Sequence, residues 1–499
     1  MIDRLLNKIS MYRLVVYTLS ALAAISVVLA LLGRLPSSPT VLVVSLSLLI
    51  SSAYVTDRSF GRLFHVPTNR ESALITALIL FLIVQPAHSP ADAVALVAAG
   101  AVSSASKFLV TWRGKHLFNP AAFAAALLSI TGLQATTWWV GSSLFWPWSL
   151  VLGLAVVRKV RRFSLFFAFV AVAIAFQLAL VLHSHQPIGI AMKHALLASP
   201  LIFLSTIMLT EPATMPPRRN LQLVFGALVA ALYVGAWKIG PLTLYPEVAL
   251  LAGNLFAFAV SPKSRIRLKL LEAQKISDRM YNYVFQPDRP LRFLPGQYME
   301  WTLPGVAYDS RGNRRTFTIA SSPTEPTVQL GVKYYEPASM YKARLLALKP
   351  GDVVYGSQLA GNFTLQGNER KKLAFIAGGI GITPFRSMIK YLTDKHTQAD
   401  IVLVYVVSTP QEFAYVPELE AAKGIGLRIV PVVTRPGRHL PNAVNASVSA
   451  DLLAWAVPDY AERLFYISGP NAMVDAAKGF LQALHVPRTR IKTDHFSGY

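Results

Sequence analysis

The chain has 499 residues, 53% of them hydrophobic and 15% charged, with a formal net charge of +23 and no cysteine. The missing cysteine excludes disulfides and any thiolate-built zinc or iron–sulfur site within this chain, so redox chemistry must use organic cofactors or a metal supplied by a partner. The basic excess does not read as a nucleic-acid footprint: many of the cations lie between apolar runs, where the positive-inside rule expects them, and no DNA-binding motif accompanies them.

Ten apolar runs occupy the first half: Leu14–Leu32, Val41–Val55, Ala73–Val84, Val94–Val110, Pro120–Ile130, Leu144–Val156, Phe163–Leu182, Ile190–Met208, Leu221–Trp237 and Val248–Val260. The first is too long and too evenly apolar for a cleaved leader and reads as a retained helix. A full crossing takes about 20 apolar residues. The second, third, fifth, sixth and tenth runs are shorter, so they must extend into their flanks, tilt or break. The expectation is a polytopic all-α membrane domain of about ten transmembrane segments built as an inverted repeat. Short or broken segments point to a site between the repeats.

Charge sets the orientation. Arg4, Lys8, Arg13, Arg58, Arg62, Arg70, Lys107, Arg113, Lys115, Arg158, Lys159, Arg161, Arg162, Arg218 and Arg219 fall on one side, and only Arg34, Lys193 and Lys238 on the other. The rule then places the protein in the cell (inner or plasma) membrane as a multi-pass chain, with the N-terminus and the C-terminal half cytoplasmic. Trp138, Trp139, Trp146 and Trp148 read as an interfacial belt. The histidines of this half, His183 among them, sit mostly at loop ends, and no metal site is expected.

From about Ser264 the pattern changes. Short alternating runs, Tyr298–Leu303 and Val328–Tyr335, lie between Pro/Gly turns and predict a small β-barrel to about Leu365. After Lys371 the rhythm becomes strand, Gly-rich turn, helix: Leu373–Ala377 then Pro384–Leu392, followed by strands Ile401–Val407, Arg428–Val433 and Leu464–Ser468. Such buried apolar strands predict a parallel sheet. The expected division is a 1–262 membrane domain, a 263–368 β-barrel domain and a 369–499 α/β domain of Rossmann-like type.

Arg315-Thr316-Phe317-Thr318-Ile319-Ala320-Ser321 resembles the R-x-Y-[ST]-x-x-S flavin motif of the ferredoxin–NADP reductase superfamily. An arginine there offers a fork to the FAD pyrophosphate, an aromatic ring packs on the isoalloxazine, and a hydroxyl reaches flavin N5. Phe317 stands where the family has Tyr. Pro295-Gly296-Gln297-Tyr298 is similar to the family's P-G-Q-[FY]. Gly331-Val332-Lys333 and Ser339 stand at its strand and phosphate-binding segment, although Pro337-Ala338-Ser339 lacks the usual glycines. Gly378-Gly379-Ile380-Gly381-Ile382-Thr383 follows a strand and opens a helix, the arrangement that admits a pyrophosphate to backbone N–H groups. Ser468-Gly469-Pro470 and Met473 resemble the second nucleotide loop, and Phe496-Ser497-Gly498-Tyr499 the terminal aromatic that packs over the flavin.

The resemblance implies that Tyr298, Arg315, Phe317, Thr318, Ser321, Lys333 and Ser339 bind FAD, and that Gly378, Gly379, Gly381, Thr383, Gly469, Pro470 and Met473 bind NADH or NADPH. Thr318 and Tyr499 would act at the flavin. Ser408-Thr409-Pro410-Gln411-Glu412 holds no Arg for a 2′-phosphate and carries Glu412, which favours NADH.

The first half resembles the RnfD/NqrB subunits of ion-translocating electron-transport complexes. The matching segments are Glu71–Leu78, Phe118-Asn119-Pro120-Ala121, Thr210-Glu211-Pro212-Ala213-Thr214 and Gly253-Asn254-Leu255. The family's flavinylated threonine motif is missing at Gln134–Trp138. A non-covalent second flavin (FMN or riboflavin) or a quinone is therefore the expected occupant near Asn119 and Thr214.

The resulting expectation is a membrane-bound NAD(P)H-dependent FAD oxidoreductase that passes electrons into or across its membrane domain. Its partners would be the lipid bilayer, NAD(P)H and an electron acceptor, with no nucleic acid, and a homodimer is compatible with the sequence. The rivals are a membrane-tethered cytoplasmic reductase for a soluble acceptor and a redox-controlled ion or solute transporter.

Overall fold

The computed structural model describes residues 6, 9–64, 68–112, 115–184, 187–235, 237–239, 242–243, 245–261, 265–304, 313–336, 338–365, 367–435 and 443–496. The chain divides into two compact units. Met1–Lys263 with Ser310–Gly312 form the first; Ser264–Asp309 with Asn313–Tyr499 form the second.

The first unit is helical. Its helices are α1 (Met11–Leu31), α2 (Pro39–Leu63), α3 (Arg70–Ile83), α4 (Pro90–Leu109), α5 (Pro120–Thr131), α6 (Trp146–Val160), α7 (Phe163–His183), α8 (Ile188–Leu197), α9 (Leu201–Met208, ending in a π-helical turn), α10 (Arg219–Gly235) and α11 (Pro246–Val260). The starts are written locally. Ser10, Ser38, Asn69, Ser89 and Asn119 each accept a backbone N–H of their helix's first turn, and Pro39, Pro90, Pro120 and Pro246 open theirs.

Each of the ten apolar runs becomes helix, but ten full spans is a misreading. Among the described residues only α1, α2, α4 and α7 are long and apolar enough to cross a membrane, or five spans if α8 and α9 count as one bent by 47°. The backbone sets the limit. Gly132 ends α5 in the left-handed region (φ 69°) and Arg161 ends α6 there (φ 56°). Pro200 interrupts the eighth run between α8 and α9. A helix of 12 residues such as α5 rises only ~18 Å, short of a hydrocarbon core of about 30 Å.

The packing repeats. In the first half α1 packs on α3, α2 on α4 and α4 on α5; in the second, α6 packs on α9, α7 on α10 and α10 on α11. The halves meet where α1 packs on α6 and α5 on α11. A two-stranded hairpin precedes each last helix: β1 (Thr111–Trp112) with β2 (Lys115–His116), and β3 (Lys238–Ile239) with β4 (Leu242–Thr243). Helices α5 and α11 run antiparallel. The Asn119 N–H at the start of α5 donates to Asn254 Oδ1 deep in α11 (2.9 Å), whereas Ser129 near the end of α5 donates to Glu247 Oε1 at the start of α11 (3.2 Å).

The second unit begins with a six-stranded antiparallel barrel sheet: β5 (Ile266–Ser277), β6 (Met280–Pro287), β7 (Tyr298–Thr302), β8 (Arg314–Thr318), β9 (Val328–Lys333) and β10 (Val353–Ala360), in the order β8-β7-β10-β5-β6-β9. The short helix α12 (Met340–Leu346) follows β9. Inward residues of alternating strands, including Leu268, Phe285, Trp301, Leu330 and Val354, fill the barrel.

A six-stranded parallel sheet completes the unit: β11 (Lys372–Gly378), β12 (Asp400–Val407), β13 (Leu427–Val433), β14 (Val444–Asn445), β15 (Leu464–Pro470) and β16 (Ile491–Phe496), ordered β14-β13-β12-β11-β15-β16. Helix α13 (Thr383–Asp394) connects β11 to β12. Helices α14 (Val416–Ala421), α15 (Ala450–Ala456) and α16 (Asn471–Ala483) follow in chain order. Leu373, Phe375 and Ala377 of β11 face one core, Ala374 and Ile376 the other, so both faces are covered, as a parallel sheet requires. Strand order reverses at β11, which sits between β12 and β15. In such sheets ligands bind outside the C-terminal strand ends at the reversal.

Candidate functional site

The two loops at that reversal touch. A Cβ on Gly381 would lie 2.3 Å from the Ser468 carbonyl oxygen, and one on Gly378 would lie 2.4 Å from Met473 Sδ and 3.1 Å from Pro470 Cδ. Only glycine allows this approach, and Gly379 (φ 53°) and Gly469 (φ 152°) also take backbone conformations that side chains disfavour. Ser468 Oγ and Asn471 Oδ1 are buried there and have no hydrogen-bond partner among the described residues. Buried orphan polar atoms beside a glycine-lined helix start fit a nucleotide that brings its own donors and acceptors. Thr383 is committed locally: its hydroxyl donates to the Ile380 carbonyl (3.1 Å), closing the turn into α13.

Strand β8 presents two faces. Arg315 and Phe317 lie on one, opposite Trp301 and Met299 of β7; Thr318 lies on the other, in register with Tyr298. Phe317 packs against Tyr341 of α12 (centroids 6.0 Å apart), and the Arg315 guanidinium lies 5.0 Å from the same ring. The ring that shares a face with the Thr318 hydroxyl is therefore Tyr298, and Phe317 goes with Arg315. Motif order alone hid this, because neighbouring strand residues face opposite ways.

Ser321 is fully buried. Its Oγ accepts the Gln329 N–H (3.0 Å) and its carbonyl accepts the Ser387 hydroxyl of α13 (2.6 Å), so in this structure it ties barrel to nucleotide layer. Beside it Arg386, 4% exposed, reaches Glu325 in the barrel through both terminal nitrogens, with Glu418 of α14 at 3.4 Å. Tyr415 donates to Asn282 Oδ1 (3.0 Å) across the same boundary.

Lys333 ends β9 with its Nζ 2.9 Å from Glu412 Oε2, and a Cβ on Gly379 would be 3.7 Å from that nitrogen. Glu412 also accepts the Ser408 N–H (3.2 Å) at the end of β12. Ser339 caps α12 by accepting the Lys342 N–H (3.3 Å). Lys342, which sequence reasoning missed, donates from Nζ to the Lys333 carbonyl (2.8 Å). Burial and the neighbouring Arg315 push its ammonium down to about 8. Arg315 and Lys342 thus sit together at one barrel edge, a donor pair that suits a flavin pyrophosphate. Tyr499 lies outside the described residues.

In the helical unit Asn119 and Thr214 do meet, but in a filled polar knot. Asn119 Nδ2 and Thr214 Oγ1 both donate to Glu211 Oε2 (2.7 and 3.0 Å), and Asn254 Nδ2 donates to the Thr214 carbonyl (3.2 Å). Asn119 and Thr214 are both buried and both bonded to Glu211, and through Asn254 the cluster ties the start of α5 to α11. At the other end of α5, Glu247 accepts from Thr136 (2.7 Å), Ser129 (3.2 Å) and Trp138 Nε1 (2.8 Å). Trp138 and Trp139 are therefore not belt residues: both indoles donate inward, Trp139 to the Phe81 carbonyl (3.0 Å). A cavity of about 180 Å³ lies elsewhere in this unit, at the α8–α9 break, with Gln177, His194, Ser199 and Tyr233 in its wall.

The oxidoreductase NAD-binding domain family matches residues 375–479. The chain is 28% identical over 254 residues to the reductase component of propane 2-monooxygenase from Mycolicibacterium goodii, covering 48% of this chain and 66% of that one. It is 26% identical over 220 residues to a glycine betaine monooxygenase reductase subunit of Pseudomonas aeruginosa (43% and 59%). The chain thus spans about two thirds or less of these relatives' own length. Among solved structures, Amycolatopsis cytochrome P450 reductase GcoB (22% identity, 47% and 70% covered) and the cytochrome b5 reductase domain of Ulva prolifera nitrate reductase (22%, 47% and 98%) each match with a TM-score of 0.42. The second unit carries an oxidoreductase NAD-binding domain, that of an NAD(P)H-dependent oxidoreductase.

Proposed function

We propose that NAD(P)H docks across the Gly378–Thr383 and Ser468–Met473 loops, and that its electrons leave the reductase unit toward an acceptor in or at the membrane. The observation that carries this reading is the contact of the two loops at the strand-order reversal, with Lys333 of the barrel at their edge. Bound FAD would supply the hydride-accepting ring, and an outlet that releases electrons singly. The protein's own part is placement: Arg315 and Lys342 hold phosphate, Tyr298 and Thr318 flank the ring, and the Arg386 clasp fixes the barrel against the nucleotide layer.

The helical unit supports a membrane location with the reductase on the cytoplasmic side: four long apolar helices and basic inner loops favour it. Its repeated helix pairing is in keeping with the RnfD/NqrB resemblance, and a second flavin or a quinone would make it an electron conduit. The relatives' names favour a second reading, a tethered reductase serving a separate oxygenase-type acceptor. Extraction of cofactors from the detergent-purified full chain separates the two. The conduit reading expects FAD plus one further redox cofactor per chain; FAD alone would sink it and leave the tethered reductase.

NADH is the expected donor. Glu412 stands at the end of β12, where a 2′-phosphate would meet its carboxylate. Glu412→Gln removes that charge and also frees Lys333 from its ion pair, so both effects favour NADPH. The ratio of kcat/KM for NADH to that for NADPH should fall about tenfold or more, which is ~1.4 kcal/mol of discrimination. An unchanged ratio would remove Glu412 from donor selection.

A further inference from the structure

We propose that Lys342 is a phosphate ligand of the bound flavin dinucleotide, and that flavin retention in this protein is governed by a titratable side chain. The inference rests on the FAD-binding reading of the barrel.

Three observations meet at this residue. The connection from β9 to α12 passes through Ala338 and Ser339, without the glycines that would let backbone amides wrap a pyrophosphate. Ser339 spends its hydroxyl on capping α12, and α12 has only seven residues, too short for its own N-terminus to serve as the anion site. A side chain must then carry the charge.

Lys342 also sits where the surrounding charges disfavour a cation. It occupies the first turn of α12, where the helix dipole disfavours a cation. The charged groups around it are Arg315 from β8 and Lys333 from β9, with Arg344 further along α12. The Tyr335 ring lies 5.4 Å from its Nζ, on the connection that also holds exposed Glu336. Glu412 is taken by Lys333, and among the described residues no carboxylate forms an ion pair with Lys342. A half-buried ammonium beside the Arg315 cation is costly in the empty site and is satisfied by an arriving dianion. Its one strong partner, the Lys333 carbonyl, aims it along the edge that Arg315 also borders.

The pH dependence follows from linkage. Protonated Lys342 binds the pyrophosphate, so affinity is level below the empty-site value of about 8. It falls as pH rises above that value, and levels again beyond the higher value of the occupied site. Loss of affinity therefore begins near pH 8.

The test is titration of flavin-stripped full-length protein with FAD and with riboflavin, followed by flavin fluorescence from pH 7 to 10, for the wild type, Lys342→Met and Lys342→Arg. Wild-type FAD affinity should fall up to about tenfold per pH unit above pH 8. Lys342→Met should bind FAD about tenfold or more weakly at pH 7, with a flat profile. Lys342→Arg should keep the pH 7 affinity and also lose the slope, because guanidinium does not titrate in this range. Riboflavin has no phosphate, and its binding should be the same for all three. A flat wild-type FAD profile, or Lys342→Met matching the wild type at pH 7, overturns the proposal. A wild type that binds neither FAD nor riboflavin overturns the flavin reading itself, and the proposal with it.

Discussion

Arg386→Ala should destabilise the reductase unit by about 3–5 kcal/mol, the cost of stripping one partner from a buried ion pair. Arg386 is 4% exposed, and its partners Glu325 and Glu418 are 12% and 34% exposed. The guanidinium also donates to the Ala320 carbonyl (3.3 Å) and lies 5.7 Å from the Tyr415 ring. Truncation leaves the Glu325 carboxylate without its cation, held among the described residues only by the Ser322 N–H and the Gln329 amide. It also cuts the clasp between barrel and nucleotide layer, so hydride transfer should suffer even in the folded fraction. Arg386→Lys restores charge without the fork and should recover only part of the loss. Denaturant-induced flavin release measures it. A midpoint shift worth less than about 1 kcal/mol would show that the clasp contributes little.

Gly381→Ala should abolish most nucleotide-dependent reduction while leaving FAD in place. The added methyl would sit 2.3 Å from the Ser468 carbonyl oxygen and 2.7 Å from Gly469 Cα. Both are backbone atoms of the neighbouring loop, so no side chain can swing away. The loops must part, and a displacement near 1 Å in a reacting geometry costs roughly 10²-fold in rate. The residues proposed to hold FAD lie on β7, β8 and α12, away from the substitution. Anaerobic stopped-flow reduction by NADH should therefore slow about a hundredfold at unchanged flavin content. A rate near that of the wild type would mean that the nucleotide does not lie across these loops.

Much of the second unit was legible because its signals are local. The Leu373–Ala377 run became β11 with one residue added at each end, and Leu464–Ser468 became β15 with Gly469 and Pro470 added. Apolar strands between glycines leave few alternatives. The positions of Arg315 and Gly381 needed only motif spacing. What spacing could not supply was facing and partnership. Tyr298 shares the Thr318 face through strand register, Ser321 is a buried tie, and Lys342 matters through neighbours that lie far off in sequence or outside the motif.

The helical unit was legible as apolar segments but not as spans. Runs such as Pro120–Ile130 and Leu144–Val156 do fold into α5 and α6, yet left-handed caps at Gly132 and Arg161 stop them short. The pairing of α5 with α11 depends on Asn119, Asn254, Ser129 and Glu247 meeting across more than a hundred residues, which hydropathy does not encode. The indoles of Trp138 and Trp139 looked interfacial by position and are held inward by acceptors that only the fold supplies.

On the function proposed, this chain takes electrons from a nicotinamide nucleotide onto its own bound FAD. The most direct test is anaerobic titration of the purified full-length protein with NADH, following the flavin absorbance and identifying the flavin released on denaturation. About one FAD per chain and full bleaching by a stoichiometric amount of NADH are expected. A protein that binds no FAD, or whose FAD stays oxidised with both NADH and NADPH, would contradict the proposed function.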